Sequence, residues 1–344
     1  MYISVENLNH AKSCRKYFED STGQNIRYTK GYKLYLWCNK YLNKLDWTVQ
    51  KFWVCKYNIG KYKRGMKLMS QTEKTKYENL GGKVREILCH NKETRTAMSE
   101  LTQELELTAN QQHGFAQNKD IFTLMQDASQ FALRRNFKVS VASIDLSDAF
   151  NQISYEQVYA MLRHVYQLNI RQSEELAQKL TYKGHLFQGN VWSPLLFNLW
   201  FVRVISRVQK IQENNKNFQL YTYADDITLI TLYPSMSWKF LKFIMKIIRQ
   251  CGFKINKQKL KVRSGIHMEI CGLQYKETNG KDWKIYPRNA RELKRKLRLW
   301  EYLDNKYPFG TTKRLNKLGL PIAILEMKNG LENWYKRSTT FQPI

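Results

Sequence analysis

The chain has 344 residues and a formal net charge of +28, because 57 Lys and Arg residues stand against 29 Asp and Glu residues. A cationic excess of this size indicates a polyanionic partner, with nucleic acid ahead of an anionic membrane. No stretch approaches the roughly 18 apolar residues of a membrane span, and the N-terminus lacks the apolar segment of a secretory signal. We therefore expect no membrane contact and no secretion. A reducing compartment is expected, either the cytoplasm (for a bacterial or phage-encoded protein) or an organellar matrix or stroma.

Residues 1–110 carry the least regular pattern. Basic and aromatic residues are interleaved over 28–37 and 51–56. This pattern suits contacts with a nucleic-acid backbone and its bases, but it equally suits amphipathic helices whose Lys stems cover a small core. A helix is predicted over 94–106, where apolar residues recur at four-residue spacing. The six cysteines never form a C-x-x-C pair, which favours free thiols over disulfides or a zinc site.

From residue 112 onwards the periodicity predicts strands and helices in a definite order. The predicted elements are a helix over 121–133, a strand over 137–144 that runs into Asp145, a helix after the capping pair Ser154 and Gln157, a helix opened by Ser193-Pro194, a hairpin over 218–232, a helix over 240–248 and an extended segment over 253–262. Such an order predicts an α+β fold of the split βαβ type, with an antiparallel sheet and helices on one face.

Two adjacent carboxylates, Asp225 and Asp226, lie at the tight turn of the predicted hairpin. Neighbouring ionised carboxylates repel each other unless cations neutralise them, and divalent metals are the usual cations for oxygen ligands. An ordinary Asp-rich turn explains this stretch alone equally well. In a split βαβ sheet, however, Asp145 would meet Asp225 at the end of the neighbouring strand. The three carboxylates then predict a two-metal site for phosphoryl transfer, with Asp145 and Asp225 as bridging ligands and Asp226 more peripheral.

Four short motifs stand in an order that resembles the palm of the reverse transcriptases. They are DLSDAF (145–150), QGNVWSP (188–194), YADD (223–226) and GFKINKQK (252–259). The resemblance implies a right-hand polymerase with a ferredoxin-like split βαβ palm. It also implies an RNA-directed DNA polymerase that uses two Mg²⁺ ions, or Mn²⁺, to extend a DNA or RNA primer with dNTPs on an RNA template.

The resemblance assigns roles to individual residues. Asp145, Asp225 and Asp226 would bind the metals, and Lys259 would be a general acid for the pyrophosphate. Substrate contacts would come from the first two motifs, at Asp148, Ala149, Phe150, Gln188, Gly189, Ser193 and Pro194. The ring of Phe150 would pack against the deoxyribose and exclude a 2′-hydroxyl.

Further motifs resemble the group II intron and related bacterial reverse transcriptases. His113-Gly114-Phe115 resembles the start of their H-G-F-R-P-G-R-S element, and GLENWY (330–335) resembles their C-terminal G-W-x-N-Y-Y. The implied domains are a basic N-terminal region or divergent fingers (1–110), a palm (111–280) and a basic helical thumb or maturase-like region (281–344). Nucleic-acid contacts would be made by Lys119, by Gly272 at the primer-grip turn, and by Arg288, Arg291, Lys294, Arg295 and Arg298.

The chain departs from the family pattern at the fingers, because no R-P-L-x-I-P stretch precedes the palm. Either residues 1–110 build the fingers differently, or the fingers are reduced and polymerisation is impaired. Two alternatives to a retroelement polymerase therefore stay open. One is an RNA-binding intron splicing factor, or maturase, with weak or no polymerase activity. The other is a retron or phage-defence reverse transcriptase that uses a dedicated non-coding RNA in place of its own intron.

Overall fold

The computed structural model describes residues 3–55, 65–67, 70–135, 138–265, 268–271, 273–278 and 282–287. The predictions for Gly272, for the five arginines and lysines of 288–298 and for the 330–335 motif lie outside the described residues. All six cysteines are described, and none of them forms a disulfide bond. None of the helices within the described ranges has the length and apolar character that a membrane crossing requires.

The N-terminal part consists of helices around a small antiparallel sheet. In chain order its elements are α1 (Val5–Thr22), a π-helical turn (Arg27–Gly31), α2 (Tyr32–Tyr41), β1 (Val49–Cys55), β2 (Gly65–Lys67), α3 (Gln71–Asn79), β3 (Val84–His90) and α4 (Lys92–Leu105). Strand β1 lies between β2 and β3 and pairs with β3 from Val49↔His90 to Cys55↔Val84. Helix α4 confirms the prediction over 94–106 to within two residues.

The second part carries the motifs. Its elements are α5 (Ile121–Leu133), β4 (Val139–Asp145), a 3₁₀ turn (Phe150–Gln152), α6 (Tyr155–Ala160), a π-helical turn (Met161–Val165), α7 (Ile170–Leu180), β5 (Thr181–Tyr182), β6 (His185–Leu186), α8 (Ser193–Asn214), β7 (Phe218–Tyr223), β8 (Asp226–Thr231), a 3₁₀ turn (Pro234–Met236), α9 (Ser237–Gln250), a 3₁₀ turn (Lys257–Lys259), β9 (Lys261–Gly265), β10 (Met268–Ile270), β11 (Leu273–Thr278) and β12 (Asp282–Pro287).

Strands β4, β7, β8 and β9 form one antiparallel sheet in the order β7-β8-β4-β9. Strands β4 and β7 run parallel on either side of β8, and helices α6 to α8 connect them. The predicted split βαβ connection is thus observed. Strand β8 pairs with β4 in a register that places Asp145 opposite Asp226.

Helices cover both faces of this sheet, so the expectation of helices on one face is wrong. Ala142 and Ile144 of β4 belong to the core shared with α8 and α9. Val139 and Val141, on the other face, pack in a second cluster with α5. The physical reason is that β4 is apolar on both faces, and each apolar face of a strand must be buried against another layer.

One local prediction also needs correction. Residues 253–262 are not one extended segment, because the 3₁₀ turn at Lys257–Lys259 interrupts them, with the Asn256 side chain accepting from the Gln258 amide (3.2 Å). The predicted helix at Ser193-Pro194 is observed, and Ser193 is its first residue. The buried Ser193 hydroxyl donates to the Phe187 carbonyl (2.8 Å), which closes the 188–194 loop.

The N-terminal helices share a continuous core with the motif-bearing part. The rings of Trp37 and Trp192 lie 4.9 Å apart. The Trp192 indole donates to the Met98 carbonyl (2.9 Å), and the Tyr166 hydroxyl donates to the Leu105 carbonyl (2.9 Å). Buried apolar residues therefore cross the predicted boundary at residue 110, and the division of the chain into three domains stays a prediction.

Strand β3 docks onto the second motif through a close approach of two backbones. The Leu88 amide donates to the Gln188 carbonyl (2.9 Å). Gly189 has φ +109°, and a Cβ there would lie 2.2 Å from the Leu88 carbonyl oxygen. Only glycine satisfies both the left-handed conformation and the lack of space.

Gly189→Ala is therefore expected to lower the free energy of unfolding by roughly 3 kcal/mol, because steric overlap with Leu88 adds to backbone strain. Gly184→Ala is the matched control, since Gly184 also has positive φ (+79°) but open space around the added Cβ. We expect the control to cost only about 1 kcal/mol. Urea unfolding measures both, and equal losses would contradict the proposed backbone contact.

Candidate functional site

The candidate site lies where β4 ends and β8 begins. Asp145 is the last residue of β4, Asp226 is the first residue of β8, and the two are partners across the ladder. Asp225 occupies the two-residue turn between Tyr223 and Asp226 together with Ala224, which has φ +54°. The structure therefore brings the three carboxylates to one edge of the sheet, with Asp226 rather than Asp225 as the direct neighbour of Asp145.

The turn is supported from behind by the His113-Gly114 segment. The His113 amide donates to the Thr222 carbonyl (2.8 Å), and the Thr222 amide donates to the Gln111 carbonyl (2.9 Å). A Cβ on Gly114 would lie only 2.2 Å from the Ala224 amide nitrogen. The glycine thus lets one backbone press directly against the turn that carries Asp225.

His113 packs inside the fold behind the turn. It is buried, and its Nδ1 lies 3.1 Å from the Thr123 hydroxyl. Burial first, and the charge of Lys119 second, lower the pKa of His113 to about 4, so the ring is neutral near pH 7. Its ring also packs edge-on against Tyr221, which steadies β7 beneath the turn.

Lys259 forms the one contact that neutralises a carboxylate at this edge in the described structure. Its ammonium lies 3.0 and 3.1 Å from the two carboxylate oxygens of Asp145. The backbone holds Lys259 there, because the Ser147 amide donates to the Lys254 carbonyl (2.9 Å) and the Asn256 amide donates to the Asp145 carbonyl (2.8 Å). The Lys259 side chain is 62% exposed, so the pair itself contributes little stability.

The Gln152 side chain strengthens the same junction. Its amide nitrogen donates to the carbonyls of Ser147 and Lys254, and its oxygen accepts from the Lys254 amide. The fourth motif is thus bound to the first motif by side-chain and backbone hydrogen bonds. No sequence motif pointed to Gln152, which acts through the backbone on the position of Lys259.

Like charges accumulate around Asp226. Partial burial first, and then the charges of Asp225 and Asp145, raise the pKa of Asp226 above its usual range, while Lys259 opposes the shift. Within the described part of the chain, no group of three or more His, Cys, Asp or Glu side chains forms a ready metal cage. The donor set nevertheless fits Mg²⁺, because three carboxylates supply hard oxygen ligands and their repulsion is relieved by a divalent cation. A metal on Asp145 would have to displace the Lys259 ammonium.

A cleft of about 450 Å³ opens beside the turn. Residues of all four motifs line it, namely Asp148, Ala149, Phe150, Gln188, Asp225 and Lys259. Strand β3 also lines it, through Arg85 and Glu86. The cleft therefore collects charged groups of both signs, polar groups and two aromatic rings, those of Phe150 and Phe187.

A second groove, of about 430 Å³, lies on the other side of the Asp145–Lys259 pair. Asp145, Asp226, Lys259 and Cys271 line it. Burial, followed by the charges of Asp226 and Asp225, raises the pKa of the Cys271 thiol to about 12, so the thiol is protonated and unreactive at neutral pH. Asp225 thus faces one cavity, whereas Asp145 and Asp226 face the other.

Several predicted contact residues do not line either cavity. Gly189 and Ser193 shape the 188–194 loop, as described above, and Pro194 stands in the first turn of α8. The Lys119 ammonium donates to the Asn110 carbonyl (2.8 Å) and is therefore engaged within the protein. Its binding to nucleic acid stays a prediction.

Sequence reasoning missed Arg85 and the wall to which it belongs. The pairing of β1 with β3 joins segments about 30 residues apart, and no turn motif marks it in the sequence. The available signal was local: residues 84–90 have a β-branched and apolar pattern that predicts a strand. Nothing in that pattern indicates which side of the strand faces a cleft.

Comparisons with known proteins agree with the order of the motifs. A protein-family model described as reverse transcriptase (RNA-dependent DNA polymerase) matches residues 73–321. No curated protein shows a significant match.

The chain is also similar to two solved telomerase structures. A telomerase from Candida albicans, in complex with a TWJ fragment of telomeric RNA, has a TM-score of 0.41 and 13% identity over 90% of this chain and 60% of that chain. An apo telomerase from Candida Tropicalis, truncated from its C-terminal domain, has a TM-score of 0.40 and 13% identity over 74% and 59%. The chain therefore spans about 60% of the length of these proteins.

Lys259→Met is expected to tighten Mn²⁺ binding several-fold, up to about tenfold, because the substitution frees both oxygens of Asp145 from the ammonium. Calorimetric titration of Mn²⁺ without nucleotide measures the change. Lys257→Met is the matched control, since Lys257 lies on the same 3₁₀ turn and makes no ion pair with Asp145. Identical Mn²⁺ affinity in wild type and Lys259→Met would show that the ammonium does not compete with the metal.

Proposed function

The chain belongs to the reverse transcriptase (RNA-dependent DNA polymerase) family, and on this premise we propose that it is an RNA-directed DNA polymerase that extends a primer with dNTPs on an RNA template. The observation that carries the proposal is the shared cleft beside the paired strands, in which residues of four separate motifs meet. The fold proposed with it is a right-hand polymerase whose palm is the four-stranded sheet.

The three carboxylates are proposed to hold two Mg²⁺ ions. When bound, such ions lower the pKa of a primer 3′-hydroxyl and neutralise charge on the leaving pyrophosphate. Asp145 and Asp226 offer oxygens from neighbouring strands, and Asp225 offers oxygens from the turn. The raised pKa of Asp226 supports this role, since a cation among the three carboxylates removes the repulsion that raises it.

Lys259 and Arg85 are the cations proposed to meet the triphosphate. Both line the cleft, Lys259 from the fourth motif and Arg85 from β3. Lys259 carries a proton on an exposed and movable ammonium, which suits donation to the pyrophosphate once a metal replaces it on Asp145. Arg85 offers a planar guanidinium, whose paired N–H groups match phosphate oxygens.

Phe150 is proposed to select deoxynucleotides. The ring is half-buried and packs edge-on against Phe197 at 5.8 Å, which limits its movement. The backbone before it is fixed by Asp148, which has φ +52° and accepts a 2.7 Å hydrogen bond from Asn151. A ring held in this way can exclude a 2′-hydroxyl by contact alone.

The β1–β3 sheet is proposed to act as the fingers that the sequence lacks in their usual form. Strand β3 forms one wall of the cleft and is attached to the loop at Gln188. This observation favours a polymerase over a splicing factor without polymerase activity, because the cleft that β3 forms with Asp225 and the other motifs offers a place for a bound nucleotide. We further propose a group II intron-like retroelement as the source of the template. The support is the His113-Gly114 segment, which resembles that lineage and braces the turn of Asp225.

The central test is primer extension by the purified chain. We expect extension of a DNA primer on an RNA template with dNTPs and Mg²⁺ or Mn²⁺, and a loss of about 10³-fold or more in Asp225→Asn, because a metal ligand is removed. Asp20→Asn, an exposed site on α1, is the control for loss of charge. Failure of folded, RNA-binding wild-type protein to extend the primer with either metal would overturn the proposal.

Phe150→Ala is expected to admit ribonucleotides, because it opens space next to C2′ of the sugar. The preference for dNTP over rNTP, measured as a ratio of kcat/KM values, should fall by about tenfold to 100-fold. Phe131→Ala removes an equally half-buried ring on α5 outside the cleft and should leave the ratio unchanged. If Phe150→Ala retains full discrimination, Phe150 is not the residue that selects the sugar.

A further inference from the structure

The stretch between Asp226 and Glu269 contains no acidic residue. It holds nine basic residues: Lys239, Lys242, Lys246, Arg249, Lys254, Lys257, Lys259, Lys261 and Arg263. Lys259 and Arg263 pair with Asp145 and Glu269, respectively. The first four belong to α9, which is thus the most one-sidedly charged helix among the described elements.

The orientation of α9 is fixed by its apolar face. Phe240, Leu241, Ile244, Ile247 and Ile248 are buried in the core beneath the sheet. The opposite face points outward, and its large side chains include two exposed rings, Trp238 (55%) and Phe243 (40%). An exposed Trp and an exposed Phe on one short helix carry a cost in water that burial against a partner would remove.

The charges of α9 are not balanced in the way that other helices of the chain balance theirs. Helices α1, α3 and α7 each have an i,i+4 ion pair: Arg15–Glu19 (3.5 Å), Lys74–Glu78 (3.9 Å) and Arg171–Glu175 (3.0 Å). In the described structure none of Lys239, Lys242, Lys246 and Arg249 forms an ion pair. Their spacings of three and four residues place like charges side by side, which destabilises a helix.

The outward face also has a definite pattern. At about 100° per residue, the four cations project within an arc of roughly 80°, with Trp238 at one edge and Phe243 at the other. A helix that lies in a membrane surface presents one continuous apolar face, whereas here the cations separate the two rings. A basic stripe between aromatic side chains is the arrangement that binds single-stranded nucleic acid, with cations on the backbone and rings under the bases.

Both ends of the helix extend this surface. Near its start, Tyr233 is exposed, and the Arg135 guanidinium stacks on the Tyr233 ring at 4.9 Å. Beyond its end, the exposed Lys254 and Lys257 lie on the segment that is bound to residues 145–147. Because α9 follows β8 and returns along the sheet, the basic stripe leads from the far end of the sheet to the edge that carries Asp145.

We propose that the outward face of α9 is a second RNA-binding surface, separate from the catalytic cleft, that holds an unpaired stretch of RNA. Lys239, Lys242, Lys246 and Arg249 contact the phosphates, and bases stack on Trp238 and Phe243. The surface would hold part of a structured RNA outside the cleft while another part is copied. RNA binding by α9 does not depend on polymerase activity.

The test uses the full chain and a labelled oligouridylate RNA of about 30 nucleotides, with affinity measured by fluorescence anisotropy at roughly 50 to 300 mM KCl. The charge variant is Lys239→Gln with Lys242→Gln and Lys246→Gln. Its matched control is Lys12→Gln with Lys16→Gln and Arg171→Gln, three exposed cations on α1 and α7. We expect the slope of log affinity against log salt to become shallower by about two in the charge variant, since each phosphate contact on a single strand contributes about 0.7. The control should retain the wild-type slope.

A second variant, Trp238→Ala with Phe243→Ala, separates stacking from charge. It should weaken RNA binding by about tenfold or more with little change in the salt slope, because base stacking is not ionic. Circular dichroism confirms folding. Extension of a short pre-annealed primer–template should be unaffected in both variants. If the wild type extends no primer, the comparison of RNA binding still decides the role of α9.

Two outcomes would overturn the proposal. One is RNA affinity and salt slope in both α9 variants equal to those of the wild type. The other is unchanged RNA binding together with lost binding to vesicles that contain phosphatidylserine, which would assign the face to a membrane surface instead.

Discussion

The pairing of β4 with β8 places Asp145 and Asp226 opposite each other, and the rest of the site depends on this register. Side chains alternate along a strand, so a slip of β8 by one residue would turn Asp226 to the other face of the sheet, away from Asp145, and would move the apolar residues of β8 to the wrong faces. The register is strongly specified because both faces are packed: Ile144 and Leu229 lie on the α8–α9 side, and Val141 and Ile230 lie on the α5 side. Packing on both faces of the sheet thus keeps the mutually repelling carboxylates together at its edge.

Backbone contacts from distant parts of the chain then complete the site. Gly114 presses against Ala224 behind the turn, Asn256 hydrogen-bonds to the end of β4, and Leu88 attaches β3 to Gln188. In each case the contact is made by a backbone amide or by a glycine that permits close approach. The motif glycines at 114 and 189 therefore act by letting two backbones meet.

The predictable parts of this protein are those with local signals. Helix α5 has the predicted bounds, and the Ser154–Gln157 capping box is observed at the start of α6. The carboxylate edge could be expected from strand order alone. The wall at Arg85 could not, because it depends on strand pairing across a long connection, which residue patterns do not encode. The second covered face of the sheet was missed because periodicity identifies a buried face without identifying the element that buries it.

The charge distribution explains how a strongly basic chain can keep a cluster of carboxylates that is not permanently neutralised by its own lysines. Lys259 is held beside Asp145 by its backbone, yet its ammonium is exposed and the ion pair is weak, on the order of 1 kcal/mol or less. A divalent ion gains from several carboxylates at once, whereas the ammonium contacts only Asp145. In the proposed mechanism, the lysine would therefore serve as a counterion in place of a metal, and its proton would be available at the cleft if a metal bound Asp145. The wider cationic excess is arranged differently: on α9 it has no acidic partner within the described residues, and this is the arrangement that suits a polyanionic partner.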